Sequence, residues 1–330
     1  MSSIEDCLKN RILVLDGAMG TILQRYKFEE PDFRGELFKD SIIPLKGNYD
    51  LLSLTKPEVI SKVHEDYLEA GADIIETNTF SANAISLADY QLQDWVYQLN
   101  YQSAQLARKA ADTYTQLTPD KKRFVAGSIG PTNKTASLSP EVNNPAYRAI
   151  TFENLRIAYR DQALALIAGG VDVLLVETVF DTLNAKAALF AIDEINETRT
   201  HKIPIMLSGT ITDASGRTLS GQTAEAFLVS TSHIPLLSIG FNCALGAHQL
   251  TPHLETLAEK TQIPISAHPN AGLPNSFGQY DQTPLEMASQ IELYLQKNLV
   301  RIIGGCCGTT PEHIRAIADT VAKYQTLSKA

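Results

Sequence analysis

An eightfold alternation of β-branched apolar runs with amphipathic helical segments predicts a (β/α)8 TIM barrel. Three observations carry this expectation. The apolar runs are continuous, as strands of a parallel sheet covered by helices are. They start plainly, as in Ile203-Pro204 and Ile263-Pro264, and end in polar, chemically varied residues. The first strand-to-helix turn, Asp16-Gly17-Ala18-Met19-Gly20-Thr21, lacks the third glycine of a dinucleotide fingerprint, and no Walker loop occurs, which weighs against a doubly wound open sheet.

In chain order the strands are expected at residues 12–16, 72–80, 124–131, 171–179, 203–211, 236–244, 263–272 and 300–309. Helical spacing of apolar residues predicts helices over 57–70, 95–115, 152–168, 182–197, 223–232, 249–261, 284–297 and 311–324. Thr310-Pro311-Glu312 is a helix start, a hydroxyl cap followed by proline at the first helical position. Two connections are long, 24–55 after the first strand and 133–151 after the third; loops of that length usually serve a site. No linker or low-complexity tract interrupts the pattern, so one domain is expected over residues 1–330.

A composition of 44% hydrophobic and 20% charged residues suits a soluble globular chain with a full core. A net charge of −9 and no Lys/Arg run argue against nucleic acid as a partner. No apolar stretch reaches the length of a membrane span, and the polar first ten residues lack the apolar core of a signal peptide, so a cytoplasmic protein is expected. Of the four cysteines, Cys7 lies on a polar N-terminal helix and is expected to be incidental.

Cys243, Cys306 and Cys307 all stand at strand ends, which a barrel gathers around one mouth. Neighbouring side chains of a strand point to opposite faces, so Cys306 and Cys307 reach one point only where the strand breaks. Gly304, Gly305 and Gly308 are expected to supply the backbone angles for that break. Three readings are open. The thiols are small buried hydrophobes; Cys306 and Cys307 form a vicinal redox disulfide, which leaves Cys243 without a role; or the three bind a metal. Three thiolates suit tetrahedral Zn²⁺, with one position left for a reactant. Such a unit, with a net charge of about −1, is a poor Lewis acid toward water yet able to bind and deprotonate a fourth thiol. Alkyl transfer to a substrate thiol follows.

The run Gly304-Gly305-Cys306-Cys307-Gly308-Thr309, with Asn242-Cys243 upstream, resembles the homocysteine S-methyltransferase family. Leu15-Asp16-Gly17-Ala18-Met19-Gly20-Thr21, Asp73-Ile74-Ile75-Glu76-Thr77-Asn78-Thr79-Phe80 and Glu177-Thr178 extend the resemblance over nearly the whole chain. Three further stretches resemble the N-terminal homocysteine-binding module of cobalamin-dependent methionine synthase more narrowly. They are Asp32-Phe33-Arg34-Gly35-Glu36, the run from Gly209 through Asp213 and Ala214 to Thr218, and Ala267-His268-Pro269-Asn270-Ala271-Gly272-Leu273-Pro274-Asn275. The resemblance implies a zinc barrel in which homocysteine thiolate attacks a methyl group on methylcobalamin, ultimately from methyltetrahydrofolate, to give methionine. It implies Cys243, Cys306 and Cys307 as metal ligands. Cobalamin- and folate-binding modules have no counterpart in these 330 residues, so the donor is expected on a module or partner outside this chain. S-methylmethionine or betaine as donor, and a barrel with a purely structural zinc, are the alternatives.

The resemblance also implies that residues matching Asp16 and Glu177 contact the amino acid, and that one matching Asn270 holds the zinc when homocysteine is absent. The residues themselves allow plainer roles: a turn aspartate at Asp16, a locally paired glutamate at Glu177, a turn residue at Asn270. An acidic strand end can pair with the substrate ammonium, and the N–H groups of Gly17 and Ala18 can receive its carboxylate. Glu76 and Thr79 end the second strand and are weaker substrate contacts. His268 is expected to be a packed or loop histidine rather than a metal ligand, and Trp95 to serve packing.

Overall fold

The computed structural model describes residues 3–212 and 215–327, so Asp213 and Ala214 of the 209–218 run lie outside the described residues. Eight strands form one parallel sheet: β1 (Leu13–Val14), β2 (Ile74–Glu76), β3 (Phe124–Ile129), β4 (Val173–Val179), β5 (Ile205–Gly209), β6 (Ser238–Gly246), β7 (Ile265–Asn270) and β8 (Ile302–Ile303). Their order is β1-β8-β7-β6-β5-β4-β3-β2. A parallel bridge between Leu15 and Ile74 joins the two ends of that order, and the sheet becomes a (β/α)8 barrel.

Each strand is followed by a helix that packs outside it: α1 (Pro57–Glu69), α2 (Val96–Leu117), α3 (Phe152–Gly169), α4 (Thr182–Glu197), α5 (Ala224–Thr231), α6 (Ala247–Lys260), α7 (Pro284–Gln296) and α8 (Pro311–Leu327). The caps are legible in the residues. Thr151, Thr223 and Thr283 each accept the N–H three positions on, and Asp181 caps α4. At α8 the partner of Thr310 is His313, whose Nδ1 takes both the Thr310 hydroxyl and its N–H.

The strands are shorter than the apolar runs suggested, because their last residues leave the ladder to build the mouth. The interior reads as two zones. Leu13, Leu15, Ile74, Phe124, Val173, Leu175 and Met206 fill the lower part, and Ile4 and Leu8 of an N-terminal helix (Ile4–Asn10) plug it from below. Arg301 donates to Leu8 O and ties the plug to β8. Higher up, the inward positions turn polar: Glu76, Ser128, Glu177, Ser208, Asn242, His268 and Cys306. Trp95 packs edge-on against Phe38, and Cys7 packs against the plug's core, so both have packing roles. Among the described residues no helix is long and apolar enough to cross a membrane.

Candidate active site and metal centre

Two departures from regular strand bring the thiols together. The first is at the end of β6, where the pairing with β7 shifts between Asn242 and Gly246. Cys243 (φ +59°) and Ala244 (φ +56°) there lie in the left-handed region. Such backbone costs a non-glycine residue about 1–3 kcal/mol and persists where the surroundings over-determine it. The bend turns Cys243 toward the barrel axis.

The second departure follows β8. Cys306 to Thr309 make a tight turn closed by Thr309 N–H, which donates to Cys306 O at 3.1 Å, and by the Thr309 hydroxyl, which donates to the same oxygen at 2.7 Å. Its third residue, Gly308, has φ +81°, the position of a type II turn that calls for glycine. A Cβ there would lie 2.3 Å from Tyr280. Gly304 and Gly305 serve differently from the expectation. Neither is left-handed; they are glycine because a Cβ would meet Leu15 at 2.7 Å and Thr309 at 2.6 Å.

All four cysteines are unbridged, and the Sγ atoms of Cys243, Cys306 and Cys307 lie within 4.8 Å of one another. Cys243 and Cys307 are 3.7 Å apart. Tetrahedral zinc with Zn–S bonds of about 2.3 Å needs ligand sulfurs about 3.8 Å apart, so the trio fits the ion with little movement. Accepting from Cys243 and Cys306 pulls the Cys307 thiol down to about 3, while donating to those neighbours pushes Cys306 well above the ordinary thiol range. Cys243 is raised too, so one of the three thiols, Cys307, ionises readily and its two neighbours share that charge.

The thiols open into a cavity of about 690 Å³ at the C-terminal end of the strands. Asp16, Glu76 and Glu177 line it with them, and no lysine or arginine is among its described lining residues. Burial first, then the Glu177 charge, holds the Asp16 and Glu76 carboxyls well above the usual carboxylate range, and burial also raises Glu177. Asp16 Oδ2 accepts the Glu76 N–H at 2.9 Å, and its buried Oδ1 has no hydrogen-bond partner. Glu177 accepts from Ser128 Oγ at 2.5 Å. His268 is packed, as expected; burial lowers it to about 4, so it stays neutral beside Glu76 and is no counter-cation. Three crowded acids without a cation form a receptor for one.

Other candidate contacts are placed less simply. Ala18 N–H already donates to Thr309 Oγ1 at 3.0 Å, so Gly17 is left as the freer amide of that pair. The Thr79 hydroxyl is committed to Ser128 O at 2.7 Å and ties β2 to β3. Asn270 is the last residue of β7 rather than a turn residue; it is buried, its Oδ1 lacks a partner, and it does not line the cavity. The first long loop brings Tyr49 and Asp50 to the cavity wall, where Asp50 accepts the Ser81 N–H at 2.8 Å and burial lifts its carboxyl to about 7. Sequence reasoning gave no role of their own to Ser128, Ser208, Asn242 and Asp50. The first three share the inward register of Glu177 and Cys306, and that was the available signal. A larger cavity, about 870 Å³, lies at the opposite end among the strand starts. It holds none of these groups, and barrel enzymes place chemistry at the C-terminal face.

The crystal structure of the Escherichia coli homocysteine methyltransferase MmuM in its metallated form is similar to this chain, with 26% identity, coverage of 94% of this chain and 96% of that one, and a TM-score of 0.71. The oxidized form of that enzyme matches with 25% identity, coverage of 93% and 95%, and a TM-score of 0.71. The apo form gives 25%, 94% and 97%, and 0.67. The family model described as homocysteine S-methyltransferase matches residues 13–321, and with this span the chain belongs to the homocysteine S-methyltransferase family.

Proposed function

We propose that the chain is the zinc-dependent, homocysteine-activating component of a methionine synthase that takes its methyl group from methylcobalamin. The observation that carries the zinc reading is the convergence of three sulfurs, two of them at 3.7 Å, on the wall of an acid-lined cavity. Cys243, Cys306 and Cys307 would hold the ion. Bound there, zinc lowers the pKa of a fourth thiol and keeps its sulfur nucleophilic at neutral pH. A similar solved enzyme, MmuM, has a metallated form, in keeping with this reading.

This chain's own residues do the rest. Asp16, Glu76 and Glu177 draw the homocysteine ammonium, and the freer amide at Gly17 faces its carboxylate. That orientation sets the sulfur toward the three cysteines, and the thiol proton leaves to solvent. In the transfer the donor–methyl bond breaks as the S–CH3 bond of methionine forms. Asn270, with its partnerless Oδ1, is the proposed resting ligand in place of homocysteine.

Two considerations favour a macromolecule-borne corrinoid as donor. The stretches 32–36, 209–218 and 267–275 resemble the cobalamin-dependent enzyme's module. The loops on the mouth side also expose large apolar side chains, among them Phe80, Val142, Leu219, Leu273 and Phe277, as docking faces do. The test supplies zinc-loaded protein and homocysteine with methylcobalamin, S-methylmethionine or betaine, and measures methionine. Faster turnover with methylcobalamin is expected; turnover with S-methylmethionine alone would move the chain to the small-donor branch.

A further inference from the structure

Asn242 sits fully buried on β6, between the acid end of β4 and the cysteine turn after β8. Its carboxamide is used on both sides. Oδ1 accepts the Thr178 N–H at 3.0 Å and the Ser208 hydroxyl at 2.7 Å. Nδ2 faces three acceptors: Thr178 Oγ1 at 2.7 Å, Glu177 Oε2 at 3.4 Å and Cys306 Sγ at 3.9 Å. An amide nitrogen carries two hydrogens. Thr178 takes one at short range, so the second is contested between Glu177 and Cys306.

The paired contacts to Thr178 also fix that residue in the left-handed region, at φ +53°, where the β4 ladder shifts register between Val176 and Val179. That bend aims Glu177 into the cavity. The next residue after Asn242 is Cys243, itself left-handed. One side chain therefore braces the acid that faces the amino group and borders two of the three thiols.

We propose that Asn242 is a positioning residue that couples capture of the substrate ammonium to the charge on the metal-binding thiolates. This inference rests on the zinc–homocysteine reading above. When an ammonium occupies Glu177, the contested N–H turns to Cys306 and disperses negative charge at the moment a fourth thiolate joins the cluster. Partners of metal ligands typically change metal affinity or activity about 10- to 100-fold when lost, and shared donors of this kind act as a network rather than as separate bonds.

The test is Asn242→Asp, which keeps the size and the acceptor toward Thr178 N–H and Ser208 but removes the Nδ2 donor. Two readouts are independent of turnover: zinc affinity by chelator competition, and the pH midpoint for proton release when homocysteine binds the zinc-loaded protein. The expected result is a tenfold or greater loss of zinc affinity with the pH midpoint moved upward. Ser208→Ala is the second variant. It leaves every group near the metal in place and loosens only the carboxamide, and it should move both readouts in the same direction, with at least a threefold loss of zinc affinity. An Asn242→Asp protein with zinc affinity and pH midpoint like the parent overturns the assignment; if that variant does not fold, an unchanged Ser208→Ala protein overturns it. If the parent binds both zinc and homocysteine while the variants match it, only the coupling role falls. A parent that binds neither ligand takes down the reading beneath it as well.

Discussion

Replacing Glu177 by glutamine separates binding from stability in one substitution. Glutamine keeps the length of the side chain and an oxygen for the Ser128 hydroxyl, which donates at 2.5 Å, and removes one negative charge from a trio with no cation among the described lining residues. A charge-assisted hydrogen bond in a desolvated site is worth about 1.5–3 kcal/mol, and each 1.4 kcal/mol is a factor of ten. The loss in homocysteine affinity is then about 10- to 140-fold, toward the lower end because Asp16 and Glu76 remain. Stability should move the other way. Burial raises the Glu177 pKa, so its charged form is disfavoured in the folded protein, and its charge raises Asp16 and Glu76 as well. The assay is titration calorimetry of the zinc-loaded parent and variant with homocysteine and with 4-mercaptobutyrate, which has the thiol and carboxylate but no amine, alongside thermal unfolding of each. Homocysteine should lose affinity, 4-mercaptobutyrate should not, and the variant should melt higher. Equal losses for both ligands, or none for homocysteine, would refute the ammonium role of the acid trio.

Gly308→Ala puts a Cβ 2.3 Å from Tyr280 at φ +81°, so the cysteine turn must open; a left-handed alanine alone costs about 1–2 kcal/mol, and zinc binding by chelator competition should weaken with stability. Cys243→Ala removes the proposed ligand on β6; zinc content by elemental analysis should fall and thiol methylation should vanish, and a fully active metal-free variant would contradict the site. His64 is fully buried on α1 with both ring nitrogens unpartnered, and burial lowers it to about 4. Because its folded pKa lies below the unfolded value of about 6.5, the unfolded chain binds the extra proton and stability is lost as pH falls from 6.5 toward 4. His64→Leu should therefore recover about 2–3 kcal/mol of the loss between pH 7.5 and 4.5 in urea unfolding; an unchanged pH slope would show that His64 is not held neutral.

The fold was legible because a barrel repeats one simple pattern. Eight apolar runs and eight helices stand where spacing placed them, and the three thiols could be grouped because a closed barrel gathers strand ends. What spacing could not reveal is set by tertiary contact. Left-handed Thr178, Cys243 and Ala244 carry no glycine to announce them. Ala18 N–H and the Thr79 hydroxyl looked available in the sequence, yet partners 291 and 49 residues away occupy them. Gly304 and Gly305 suggest unusual backbone angles in the sequence, whereas close approach of Leu15 and Thr309 is what excludes a side chain. Asn242 was visible only as the neighbour of a cysteine, since its importance lies in three other elements, β4, β5 and the turn after β8, that meet around it.

Zinc-edge X-ray absorption, recorded on the loaded protein before and after homocysteine is added, tests the central claim most directly. Three sulfurs with one oxygen or nitrogen neighbour, changing to four sulfurs at about 2.3 Å, is the predicted result. A ligand set that already contains four protein groups and does not change on adding homocysteine would contradict it.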